Sequence, residues 1–223
     1  MDNFIQELEE DLRRDRYMAL WRKYGRVAVA LALVVVIAVA AGVVWREYRA
    51  GERMKDSLAY NAALALIDPG APPSPAAAES AIAGLRAIAQ SGSDAYATLA
   101  RLQEAGLLSK AGKTDEAAAI YDAMAADSDV DSLFRDLALV LGVLATLDRG
   151  DPQQLTARLA PLTEARNPWR YSALELTALL AQRGGDAAKA RDVYATLADD
   201  PTAPRQMRAR AAEMLAVLGP AAG

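Results

Sequence analysis

Apolar residues recur at three- and four-residue spacing through most of this chain. The pattern predicts helices over Asp94–Lys110, Asp115–Ala126, Asp131–Asp148, Gln153–Thr163, Trp169–Arg183, Ala187–Ala198 and Thr202–Leu218. Helix-ending signals stand between them: Gly112, Gly150-Asp151-Pro152, Asn167-Pro168, Gly184-Gly185 and Asp200-Pro201. No stretch alternates with period two over β-branched residues, so strands are not expected. One stretch is apolar on every face. Val27 to Trp45 runs for nineteen residues without a charge. At ~1.5 Å per residue it spans roughly 28 Å as a helix, close to the hydrocarbon thickness of a bilayer. Trp21 and Tyr24 precede it and Trp45 and Tyr48 follow, where aromatic rings favour the two interfaces.

The flanks give an orientation. Arg13, Arg14, Arg16, Arg22, Lys23 and Arg26 precede the span, against Arg46, Arg49, Arg53 and Lys55 after it. Basic residues stay on the cytoplasmic side while long domains translocate with little regard to charge. The expected order is therefore a cytoplasmic segment 1–26, a transmembrane helix 27–45 and a large domain 46–223 beyond the membrane. A cleaved signal peptide is the rival, with Ala38-Val39-Ala40 as its site. Against it stand six acids in the leading segment (Asp2, Glu7, Glu9, Glu10, Asp11, Asp15) and apolar sequence that continues to Val44. Phe4, Ile5, Leu8 and Leu12 share a helix face, with Glu9–Arg13 and Glu10–Arg14 at i,i+4. That segment suits a short helix on the membrane surface or against a partner.

Composition removes several functions. The first 26 residues hold six of the 25 basic and six of the 29 acidic residues, so the large domain inherits the whole net charge of −4. Nucleic-acid binding needs a clustered basic face and is not expected. The chain has no Cys and no His. Thiol chemistry is absent, and so are the usual general base near neutral pH and the commonest metal ligand. Carboxylate pairs such as Asp115/Glu116 and Asp199/Asp200 fall at helix ends, where acids cap. No P-loop, GxGxxG or GxSxG motif occurs. The chain reads as a non-enzyme that needs no cofactor.

The helix breaks are themselves periodic. Gly112-Lys113-Thr114-Asp115-Glu116-Ala117-Ala118-Ala119-Ile120-Tyr121 matches Gly185-Asp186-Ala187-Ala188-Lys189-Ala190-Arg191-Asp192-Val193-Tyr194 in spacing. Each places Gly five residues before a small Ala, and Tyr four residues after it. Ala117 and Ala190 lie two periods of about 36 apart, with a weaker copy at Gly150, Leu155 and Leu159 and a half-copy at Ala81 and Leu85. The physical sense is a pair of antiparallel helices. Gly permits the turn. The small Ala lets the second helix approach the first, where Ala105 and Leu108, or Ala178 and Ala181, face it. The Tyr fills the space toward the next pair. This spacing resembles the tetratricopeptide repeat, without its helix A Trp and with Leu155 in place of Ala. A first, irregular hairpin is expected from Asp56–Ile67 and the Ala81 half-copy. Its halves are parted by Asp68-Pro69-Gly70-Ala71-Pro72-Pro73-Ser74-Pro75, a Pro-rich stretch that cannot be helical. The fold class expected is all-α: one N-terminal transmembrane helix, then a solenoid of TPR-like helical hairpins.

The complete layout carries a further resemblance. A charged start with Trp21-Arg22-Lys23-Tyr24-Gly25, a span ending Trp45-Arg46-Glu47-Tyr48, Ser93-Asp94-Ala95-Tyr96-Ala97 opening one helix and Phe134-Arg135-Asp136-Leu137-Ala138 opening the next are similar to the YfgM-like family. These are ancillary subunits of the bacterial SecYEG translocon. The resemblance implies a single-pass inner-membrane protein with a periplasmic TPR-like domain. It implies as partners the SecYEG translocon, a periplasmic chaperone of the peptidyl-prolyl isomerase type and exported polypeptides. The expected function is a protein-interaction module that assists or relays exported chains. The alternative is a scaffold coordinating envelope or division machinery. TPR arrays bind on the face lined by their first helices, which here offers Leu99, Leu102, Gly106 and Ser109 from one repeat and Glu175, Leu179 and Gln182 from another. Those same leucines have a second use, packing between repeats.

Overall fold

The computed structural model describes residues 2–67, 70 and 73–219, with side chains from Ala30 onward except Ala32. The described residues are helical throughout and hold no strand. The helices are α1 (Asp2–Leu64), α2 (Pro75–Ser91), α3 (Asp94–Lys110), α4 (Thr114–Ala126), α5 (Ser132–Ala145), α6 (Pro152–Leu159), α7 (Arg170–Arg183), α8 (Ala187–Asp199) and α9 (Arg205–Leu218). A 3-10 turn, Ala160–Thr163, follows α6. The chain divides into two units, Met1–Glu52 and Arg53–Gly223.

In the first unit, the apolar residues of α1 face outward along their whole described length. Leu31, Val34, Ile37 and Val44 are each at least 62% exposed. Beyond them the Arg49 guanidinium lies over the Trp45 ring, 5.0 Å from its centroid. Among the described residues no helix is long and apolar enough to cross a membrane. The expected span opens with Val27–Val29 and includes Ala32, whose side chains lie outside the described residues, as do Trp21, Tyr24, the Phe4–Leu12 face and the Glu9–Arg13 and Glu10–Arg14 pairs. Asp68, Pro69, Ala71 and Pro72 of the Pro-rich stretch lie outside them too.

The second unit is a row of antiparallel hairpins: α3/α4, α5/α6 and α7/α8, with α2 before and α9 after. Consecutive helices pack on one another, and α3, α5, α7 and α9 also touch along one layer. Small residues set these distances. Ala105 and Ala117 are fully buried between α3 and α4, and Ala178 and Ala190 between α7 and α8. Gly142 brings α5 onto α4, since a Cβ there would stand 3.2 Å from Tyr121 Cβ.

Two of the three hairpin turns are built alike. Gly112 and Gly185 adopt φ of +78° and +83°, a region L side chains avoid. After α3, Gly112 N–H donates to Ser109 and Lys113 N–H to Leu108; after α7, Gly185 N–H donates to Gln182 and Asp186 N–H to Ala181. These bonds close the orphan carbonyls of each first helix. The middle turn differs. Gly150 does not have positive φ; a Cβ on it would stand 2.8 Å from Leu155 Cδ1. Leu155, larger than the Ala of the other repeats, reaches back over that glycine.

Several helix ends fall short of the apolar pattern, each for a local reason. α5 stops at Ala145 because Thr146 Oγ1 donates back to Gly142 and the Arg149 and Gly150 amides turn onto the Thr146 carbonyl. The Arg183 guanidinium then takes the Leu147 and Gly150 carbonyls. α6 tightens into its 3-10 turn where Pro161 supplies no N–H. α9 begins at Arg205 because the residue before Pro204 is steered from helical geometry.

Side-chain bonds repeat with the period of the array. Ser93 N–H donates to Asp56 at 2.8 Å, Trp169 Nε1 to the Leu133 carbonyl at 3.0 Å and Arg210 to both Glu175 oxygens at 2.8 and 2.9 Å. Arg158 pairs with Asp122. Tyr60 and Tyr96, one period apart, meet with ring centroids 5.9 Å apart. Equivalent positions of neighbouring hairpins are thus tied directly to each other.

The α8–α9 turn is held by Asp200. Its carboxylate accepts from Thr202 Oγ1 at 2.5 Å, the Thr202 amide at 2.8 Å, Tyr171 Oη at 3.2 Å and Arg170 at 3.1 Å. These donors pull its pKa from 3.8 down to about 2, the Thr202 hydroxyl contributing most. A depressed carboxyl pKa stabilises the folded state above the unfolded value and ceases to do so as pH falls through the folded one. Between pH 3.8 and about 2, the melting temperature of Asp200→Asn should therefore fall less steeply than that of the parent. Parallel slopes over that window would dismiss this role.

Candidate functional site

The residues proposed from sequence occupy two separate helices of one layer. Leu99, Leu102, Gly106 and Ser109 share a face of α3, and Glu175, Leu179 and Gln182 lie on α7, with α5 between them. They do not form one pocket. Leu102 packs against the first core cluster and Leu179 against the second, which is the inter-repeat use of a leucine. Glu175 is committed to Arg210. Gly106 lies under Tyr121, whose hydroxyl would be 3.8 Å from a Cβ there. Leu99 and Ser109 are half-buried and Gln182 is exposed.

The repeat-motif residues are placed as follows. Gly112 and Gly185 are the positive-φ turns. Ala117, Tyr121, Ala190 and Tyr194 are all buried at hairpin junctions. Tyr194 is 1% exposed, and its hydroxyl has no hydrogen-bond partner among the described residues. Burial raises its pKa, and the Glu175 charge adds to this. A buried hydroxyl left unpaired costs ~1–3 kcal/mol. Tyr194→Phe should therefore keep or raise stability, by up to about 1 kcal/mol. Denaturant unfolding showing a loss greater than that would reveal a partner for the hydroxyl.

Sequence reasoning passed over α5. Leu133 and Leu144 are 43% and 51% exposed on the same stripe as half-buried Leu137. That stripe is the exposed apolar part of the layer made by α3, α5 and α7. Its signal was in the sequence: Leu at 133, 137 and 144 adds a third apolar face to a helix whose other two faces already serve α4 and α6.

A broad concavity lies elsewhere. A groove of about 870 Å³ runs between α2 and α4 over α3, on the side of α3 opposite to Leu99, Leu102, Gly106 and Ser109. Its apolar lining is Ala89, Leu108, Ala119, Ile120, Ala123 and Ala126. Two ion pairs sit in it. Arg86 Nε meets buried Glu104 at 2.8 Å, and Arg101 meets Asp127 at 3.0 Å. The Asp129 amide and then Arg101 hold the Asp127 carboxyl below the usual range. A second, smaller hollow shares Arg101 and Asp127 and adds Asp94, Thr98 and Asp129. Among the described residues no group of acidic side chains is arranged to hold a metal ion.

Hairpins at a 36-residue period, Gly turns and small-residue junctions define a repeat protein of the tetratricopeptide type. Residues 18–209 match the family described as tetratricopeptide repeat-like domain, and the chain belongs to it. No curated protein matches the chain. No solved structure matches it either. Repeat arrays of this type mediate protein–protein interaction, and their surfaces bind rather than catalyse.

Proposed function

We propose that this protein is a membrane-anchored interaction module of the bacterial envelope. Residues 27–45 cross the inner membrane, and the hairpin array faces the periplasm and receives exported polypeptides beside the Sec translocon. The observation that carries the reading is the outward-facing apolar run Leu33–Trp45 of α1, which no described side chain covers. Such surface belongs in lipid. The order of basic residues on its flanks favours the N-terminus inside. The layout resembling the YfgM-like family supports the translocon and a peptidyl-prolyl isomerase-type chaperone as partners. The Leu133–Leu137–Leu144 stripe is the surface best suited to an extended apolar segment.

A photo-crosslinking residue placed at Leu133 of the full-length protein in cells tests this. It should capture polypeptides in transit, and mild-detergent purification should bring down the Sec channel. Capture of envelope or division proteins in place of chains in transit would favour the scaffold reading.

A further inference from the structure

The α2–α4 groove is distinct in place and chemistry from the leucine stripe on α5. Its walls are built of small residues. Ala89 stands on α2, and Ala119, Ala123 and Ala126 stand on α4 beside Ile120, with Leu108, Glu104 and Arg101 of α3 at the floor. Small side chains let another backbone approach closely. The α4 wall extends from Glu116 to Asp127, ~16 Å or three turns of helix.

Charge gives the occupant its sign. Within and beside the groove stand the guanidinium groups of Arg86, Arg101 and Arg135 and the carboxylates of Asp94, Glu104, Glu116, Asp127 and Asp129. Arg86 and Arg101 are engaged by Glu104 and Asp127 inside the groove. Arg135 directs its donors to the Ser128 and Val130 carbonyls at 3.3 and 2.7 Å. The surplus is negative and sits at the two ends, Glu116 at the start of α4 and Asp94 and Asp129 beyond its far end, all exposed. An alanine-rich wall over a floor of paired charges, with acids at either end, is complementary to a small apolar helix face that carries Lys or Arg at each end.

We propose that the groove between α2 and α4 receives one helical segment of a partner protein, apolar on the entering face and basic at each end. This surface is additional to the one used for polypeptides in transit, so the array holds two partners at once on its two layers.

The test uses the full-length protein in nanodiscs of neutral phosphatidylcholine, with binding to empty nanodiscs subtracted. The probe is a fluorescent amidated peptide of about 14 residues, four turns, with a Leu/Ala face and Lys at both ends. Anisotropy should show saturable binding that weakens with salt. A Glu-for-Lys version should bind about tenfold more weakly. A version with a central Pro should also lose about tenfold, because Pro breaks the helix. On the protein, Ala123→Trp fills the exposed wall and should cost about tenfold. The rim double variant Glu116→Lys with Asp129→Lys should cost about threefold or more and flatten the salt dependence. Ala188→Trp, on exposed α8 away from both surfaces, should bind as the parent does.

Equal affinity for the Lys and Glu peptides overturns the charge assignment, and equal affinity for the Pro peptide overturns the helical one. Parental binding by both groove variants overturns the site. Self-association that Ala123→Trp abolishes, with no peptide bound, would give the groove to a second copy of this chain and end the proposal.

Discussion

Ala117→Arg and Ala190→Arg should each destabilise the protein by about 2–4 kcal/mol, through overpacking and a poorly solvated charge. Both alanines have no accessible surface and sit where the two helices of a hairpin come closest. Ala117 shares the first core cluster with Ala105 and Leu108, and Ala190 the third with Ala178 and Ala181. An arginine at either place has no route to solvent that leaves the helices where they are. The same change at exposed Ala119 or Ala188 should cost less than about 0.5 kcal/mol. Thermal melts of the four variants, followed by circular dichroism, read the difference directly. Indistinguishable melts for Ala117→Arg and Ala119→Arg would falsify the packing register.

That register shows what a sequence of this kind discloses. A Gly, an Ala five residues later and a Tyr four beyond that can be found without any structure, because each answers a strong local demand: positive φ, close approach, a filled gap. Helix bodies follow from apolar spacing for the same reason. Their ends are less visible. The stop of α5 depends on Thr146 folding back, and the turn after it is fastened by Arg183 from a helix one period away. Gly150 looked like a turn glycine, and its use is to make room for Leu155. The binding surface was the least legible. Whether a leucine such as Leu102 or Leu179 meets its neighbour or the solvent depends on how far one hairpin is rotated on the next. The groove requires α2, α3 and α4 together, and no single helix announces it.

If residues 27–45 anchor the protein as proposed, Asp substituted for both Val35 and Val39 should release it from the membrane. These side chains are 55% and 60% exposed, near the middle of the apolar run. A carboxylate at the centre of a spanning helix costs ~2.5–3.5 kcal/mol on insertion-based scales. Two of them exceed what the remaining Val, Leu and Ile supply at a few tenths each. Alkaline extraction of cell membranes should leave the parent in the pellet and move the double variant to the supernatant. A variant that sediments as fully as the parent would show that residues 27–45 do not hold the protein in the bilayer.

The apolar interior of the hairpin array is divided into three clusters, and this fixes where the array gives way. α9 contributes to the third alone, through Ala211, Met214, Leu215 and Leu218. A chain cut at the α8–α9 turn therefore bares Ala178, Ala181 and Tyr194 while Leu85, Leu108 and Met124 stay covered in the first. Damage at one end does not propagate as collapse of the whole. For a protease this makes α9 the handle and the α2–α4 end the part left behind, so clipped forms should lose α9 and keep the groove.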